Sequence, residues 1–149
     1  MTPFDMIKDH MEKSIPFAAH VGIELLEIGD GVATAALDQR TETSNHIATQ
    51  HAGAMFTLGE AASGGALGGA LAPVLLQVRP VAAGAQIKYV KIARGRLTAT
   101  ARTSAPGAEL LATLKEVGKV AFSIDVDIRD ADGDTVVAMS VDWHVKKAG

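Results

Sequence analysis

Glu60 is the only ionisable side chain between Ala52 and Val78, a run built mostly of alanine, glycine and leucine. Burying an unpaired carboxylate is expensive. Such a group has to be paired, protonated or set in a cleft where it can act as a general base or a nucleophile. The run reads as a helix that starts near His51-Ala52-Gly53. Free backbone N–H groups at a helix start, backed by the helix dipole, can hold a developing oxyanion. The small residues there let a ligand approach the backbone. A polar loop precedes the helix, with Ser44-Asn45-His46 and Gln50-His51 supplying amide and imidazole groups. These can polarise a carbonyl or orient a water. A carboxylate, an oxyanion-binding helix end and a polarising amide are the parts of acyl-transfer hydrolysis.

Helix geometry constrains how those parts combine. Glu60 lies about 12 Å along the axis from Ala52, too far for one carbonyl to touch both. Two antiparallel copies of the helix would bring the amide of one subunit to the Glu60 of the other, twice. The chemistry therefore predicts a two-fold dimer with its sites between subunits.

The elements that hold these residues follow from pattern. Residues 3–14 predict a short amphipathic helix on which Met6, Ile7 and Met11 share a face, with Pro16 just past its end. Val21–Ile28 and Val32–Leu37 predict a hairpin around Gly29-Asp30-Gly31. Ala52–Leu71 has almost no polar face and predicts a helix wrapped on most sides. Its six glycines each cost roughly 1 kcal/mol against alanine in a helix, which implies close backbone packing. Alternation resumes after Pro80, with Ala85, Ile87 and Tyr89 on one face, and again over Leu97–Thr103. Glu109–Glu116 reads as a short helix or an irregular excursion. Gly118–Arg129 and Thr135–Lys146 predict long strands joined by Asp130–Asp134. The order points to an α+β fold, one largely antiparallel sheet covering one long helix.

Composition closes off other classes. With 149 residues, 48% of them hydrophobic, the chain suits one domain over 1–149 with one core. A net charge of −3 and 4% aromatics argue against nucleic-acid binding. The absence of cysteine excludes a thiolate nucleophile and fits a cytoplasmic location. The acidic N-terminal segment does not read as a signal peptide. The Ala/Gly run with Pro73 inside it reads as a buried helix and a turn, with no membrane insertion expected.

The run Asn45-His46-Ile47-Ala48-Thr49-Gln50-His51-Ala52-Gly53, followed by Glu60, resembles the hotdog-fold thioesterases, especially their phenylacetic-acid-degradation-type branch. That branch shows an Asn, then His-Gly-Gly six residues later, then a helical Asp or Glu, and the spacing matches without a gap. The stretches Gly84–Lys91 and Leu97–Ala101 are also similar. The resemblance implies a curled antiparallel sheet of about five to six strands wrapped around a central helix at about 52–71, with an N-terminal helix in 1–16. It implies an acyl-CoA thioesterase that releases a free acid and coenzyme A. Glu60 would be base or nucleophile, the Ala52 amide, with Gly53, the oxyanion hole, Asn45 a carbonyl or water anchor, and His51 a loop-shaping residue. Ala52 stands where the family often has glycine. Lys88, Lys91, Arg94 and Arg96 could meet the coenzyme A phosphates. No metal and no cofactor beyond the coenzyme A of the substrate are expected, and the assembly would be a homodimer or a tetramer of two dimers.

Other readings of the same residues stand beside these. Glu60 could pair with a structural partner such as Arg79, and Asn45 could bond its own backbone in a turn. The cations could protect a sheet edge. His46 and His51, with Glu42, make a poor metal set at that spacing. A non-catalytic acyl-ligand-binding protein would keep the fold without turnover. A hydratase would want a histidine close behind the helical acid, and none is there.

Overall fold

The apolar run folds as one long helix because it has almost no polar face and its second half is enclosed. In the computed structural model, which describes residues 2–148, this helix is α3, Ala52–Ala70, and every residue from Ala61 to Ala70 is buried. Before it come α1 (Pro3–Ser14), α2 (Pro16–Val21), β1 (Glu24–Gly29) and β2 (Val32–Leu37). After it come β3 (Val78–Tyr89), β4 (Leu97–Thr103), α4 (Gly107–Val117), β5 (Lys119–Arg129) and β6 (Thr135–Lys147). All six strands form one antiparallel sheet in the order β1-β2-β4-β5-β6-β3. Its inner face supplies Leu97, Ala99, Ile124, Ile128, Val137, Val141 and Val145 to the core around α3.

The glycines of α3 trace its path over the sheet. A Cβ at Gly59 would collide with Met139 on β6, and one at Gly65 would lie 2.9 Å from the Ala33 Cβ on β2. At Gly69 it would overlap the carbonyl oxygen of Gly29 on β1. The helix therefore crosses from β6 to the β1–β2 hairpin with its backbone nearly on the strands. Gly64 differs, since a Cβ there would make ordinary contacts, 3.6 Å to Met11 and 3.9 Å to Trp143. Alanine should therefore act with opposite signs at two positions of one helix. Gly64→Ala should stabilise by about 0.5–1 kcal/mol through helix propensity. Gly69→Ala should destabilise by about 1–3 kcal/mol, because backbone cannot yield as a side chain can. Urea unfolding of the two variants checks this.

Two departures from the sequence expectations have local causes. Val21, expected to open the first strand, instead ends a short helix over residues 16–21, and the strand begins at Glu24. Pro16 occupies the first helical position of α2, which its fixed φ suits, and Gly22 ends the helix at φ +95°. Met6 is 59% exposed and does not share the packed face, and Met11 and Ile7 cover Gly68 together with Leu75. Of the two forms expected for Glu109–Glu116, the helix is the one present, as α4.

The edge strand β3 is the most unusual element. Ala82, Ala85, Ile87 and Tyr89 pair with Trp143, Val141, Met139 and Val137 of β6 and so face inward. Yet α3 turns away toward β1 and leaves them uncovered. Ala82, Ala85 and Tyr89 are exposed and Ile87 is only half-buried. On the other side, Val81 is 54% exposed. Among the described residues, the far edge of β3 has no strand partner.

Candidate active site

The first half of α3 presents Ala52, Gly53, Phe56, Thr57 and Glu60 on the side left open beside β3. Glu60 is half-buried there, and among the described residues its carboxylate has no hydrogen-bond or ion-pair partner. Burial alone pushes its pKa above the usual glutamate range. Arg79, the structural partner considered for it, points outward on the opposite face of the sheet, beside Lys146. Below Glu60 the helix is pinned to β6. The Trp143 indole N–H donates to the Ser63 hydroxyl at 3.0 Å, and that hydroxyl donates to the Glu60 carbonyl at 2.7 Å. This chain fixes the turn that carries the carboxylate and leaves the carboxylate itself free.

The start of α3 is built by its own loop. His51 is the N-cap, with extended backbone, and its Nδ1 accepts from the Gly53 N–H at 2.8 Å. Gly53 is therefore not a free oxyanion donor, because the cap has taken it. The Ala52 N–H has no acceptor among the described residues, and Ala52 is exposed. The Ala52 carbonyl accepts a hydrogen bond from the Tyr89 hydroxyl at 3.0 Å, which ties the first turn to β3. Sequence reasoning missed Tyr89 as a site residue. Its only signal was a lone tyrosine on an alternating strand.

Asn45 holds the loop. Its Oδ1 accepts from the N–H groups of Ile47 and Thr49, both at 3.0 Å, and its Nδ2 donates to the Thr49 hydroxyl at 2.7 Å. That is the turn geometry weighed above, and it leaves no clearly free amide to meet a carbonyl. The same loop keeps Ala48 at φ +58°, a strained conformation for a residue with a Cβ. Gln50 is also structural. It is fully buried, and its Nε2 donates to the carbonyls of Gly95 at 3.0 Å and Leu37 at 3.5 Å. His46 is exposed in the loop.

The four cations expected to meet phosphate divide into two pairs. Lys91 lies 2.7 Å from Asp134 and 3.4 Å from Asp130. Arg96 lies 2.8 Å from Asp38 and 3.5 Å from Glu24. Carboxylates distant in sequence thus already hold these two. Lys88 and Arg94 are exposed and carry no ion pair among the described residues.

The site geometry can be set beside known proteins. Residues 5–145 match the family model described as a domain of unknown function, DUF4442. No curated protein sequence matches the chain. A Pseudomonas aeruginosa protein of unknown function, described as a probable thioesterase, superposes with a TM-score of 0.81 at 22% identity, covering 99% of this chain and 97% of that one. The Escherichia coli PaaI protein from the phenylacetic acid degradation operon gives 0.73 at 19% identity, covering 99% and 94%. A hypothetical thioesterase protein from Streptococcus pneumoniae, solved with coenzyme A, gives 0.70 at 20% identity, covering 91% and 97%. At such identities the likeness establishes the fold. The chain belongs to the DUF4442 family, and its six-stranded sheet curled around α3 is the hotdog fold.

Proposed function

We propose that the protein is an acyl-CoA thioesterase whose active sites form between two copies of the chain. The observation that carries this reading is Glu60, a half-buried carboxylate with a raised pKa and no partner among the described residues, on the open side of α3. A structural acid would be paired. An idle one would not be held in partial burial by a Trp143–Ser63 anchor. Glu60 would activate the attacking water, or itself attack the thioester carbonyl. The Ala52 amide of the other copy would take the oxyanion. Thiolate departure, with a proton from the water, leaves a free acid and coenzyme A.

The two-copy arrangement rests on β3. An exposed apolar face beside an unpaired edge leaves a surface that a soluble chain covers. A second copy laid antiparallel along this edge would continue the sheet and bring the two α3 starts toward the opposite Glu60 side chains. Tyr89 would then position rather than react, since its hydroxyl holds the Ala52 carbonyl and with it the direction of the Ala52 N–H. Tyr89→Phe should lower kcat by about two- to tenfold with KM little changed, the loss of one neutral hydrogen bond of about 0.5–1.5 kcal/mol felt in the transition state.

The direct test is thiol release from a panel of acyl-CoAs, short to long and aliphatic to aromatic, with the dimer confirmed by light scattering. Turnover of any member supports the reading. Saturable binding with no turnover across the panel would replace it with an acyl-ligand-binding protein.

A further inference from the structure

On the outer face of the sheet, two of the charged side chains of β4 and β5 meet opposite charge. Arg102 faces Asp125 across β4 and β5. Asp127 takes Arg129 at 2.6 Å and the Thr135 hydroxyl at 2.9 Å. One rung instead sets like charges side by side. Lys119 of β5 lies opposite Lys146 of β6, and Lys146 lies opposite Arg79 of β3, so three cations stand in a row on three neighbouring strands. All three are exposed, and none has an ion-pair partner among the described residues. Like charges directly opposite destabilise a sheet. Protection of a sheet edge by a basic residue explains Arg79. It does not explain Lys146, which is paired on both sides by Lys119 and Arg79. A chain whose net charge is −3 has gathered cations where folding alone would disperse them.

The rung borders a cavity of about 1170 Å³. Its walls include Arg79, Lys119, Lys146 and Lys147, with Glu109 the single carboxylate among its lining residues. The next rung adds His144, opposite Ala121 on one side and Val81 on the other. A backbone donor also opens there. Pairing of β4 with β5 ends at Thr103 and Ile124, and the last contact on that side runs from the Ser104 N–H to the Ser123 carbonyl. Strand polar groups alternate sides with period two. The Ala121 amide therefore faces the same side as Ser123, where no strand covers it. Apolar wall comes from Leu110 and Phe122.

We infer that this cavity is a binding site for a small anion carrying two or more phosphate groups, held by Arg79, Lys119 and Lys146. Point-charge ammonium groups and a forked guanidinium spread over adjacent strands match several phosphate oxygens better than one carboxylate. Arg79, Lys119 and Lys146 lie on the face of the sheet away from α3 and Glu60, so the proposal stands whether or not Glu60 is catalytic. The anion could be the nucleotide end of coenzyme A or a free nucleotide or polyphosphate.

The test is calorimetric titration of the full chain with adenosine 3′,5′-bisphosphate, coenzyme A and inorganic pyrophosphate. It compares wild type with a variant carrying both Lys119→Ala and Lys146→Ala. Saturable binding that weakens with salt, and that falls at least about tenfold in the double variant, is the expected result. Lys91→Ala, which removes a cation already paired, should bind as wild type does. Binding of the bisphosphate and coenzyme A without pyrophosphate identifies a nucleotide site, and equal binding of pyrophosphate identifies a polyphosphate site. Unliganded thermal unfolding should show the double variant as stable as wild type or more so, because a repulsive rung has been relieved. No saturable binding of any of the three probes, or undiminished binding by the double variant, overturns the proposal.

Discussion

Replacing Glu60 by Gln should lower thiol release from acyl-CoA by about 10²–10⁴-fold, the usual range for loss of a general base, while making the protein more stable at neutral pH. Both effects come from one fact. Burial disfavours the charged form of Glu60, and nothing among the described residues offsets it. The sign of the pH dependence follows. In the unfolded chain Glu60 titrates near its ordinary value of 4.5, and in the folded chain it titrates higher. The folded state therefore holds the proton more tightly. The destabilisation is absent below the ordinary value, grows as pH rises through the interval between the two values, and is complete above the folded one. Glutamine removes it. The variant should match wild type near pH 4 and exceed it above the raised value, by about 0.5–2 kcal/mol, the gain common when a strained functional group is removed. Calorimetric unfolding at several pH values measures this. The rate carries the same signature, because only ionised Glu60 can act as base or nucleophile. The acid limb of kcat/KM should lie above the ordinary glutamate range. Thiol release unchanged in Glu60→Gln would assign the carboxylate a structural role and remove it from the site.

The parts of this molecule that were legible in sequence are those whose cause is local. The run from Ala52 to Leu71 lacks a polar face, and a helix with no polar face has to be enclosed. Its glycines forecast close packing, and Gly59, Gly65 and Gly69 each sit against a strand. Turn chemistry at Gly29-Asp30-Gly31 and at Asp130–Asp134 located both hairpins. The parts that were not legible depend on residues distant in sequence. Lys91 and Arg96 look like free phosphate ligands until Asp134 and Asp38 fold against them. Tyr89 gains meaning only when β3 brings it to Ala52, 37 residues earlier. Gly53 looks like an oxyanion donor beside Ala52 until the cap is drawn, because spacing does not say where an imidazole turns. The alternation in β3 predicted a strand with one buried face, and within a single chain that face is open. Its pattern is better explained by a surface the chain does not itself contain.

That last point can be tested at a single atom. Ala52 is the first residue of α3, and its N–H is unused within the described residues. Proline is well tolerated at that helical position, because its missing N–H has no intrahelical partner to lose. The residue before a proline has to be extended, and His51 already is, at φ −69° and ψ 139°. Ala52→Pro should therefore fold and assemble as wild type does while deleting the proposed oxyanion donor. Loss of one such donor costs about 10²–10³-fold in kcat. The stronger prediction concerns mixing. Glu60→Gln and Ala52→Pro should each be nearly inactive as homodimers. In a mixed dimer, one site combines the intact Glu60 of the proline subunit with the intact Ala52 amide of the glutamine subunit, and the other site lacks both. Random exchange at equal amounts should restore about a quarter of wild-type activity, since half the dimers are mixed and each holds one complete site of two. A site contained within one chain gives a different answer. Each subunit would then carry its own defect, and mixing would restore nothing. Unfolding the two variants together, refolding them and measuring thiol release separates the cases. Recovery requires Glu60 and the Ala52 amide to meet across the subunit boundary.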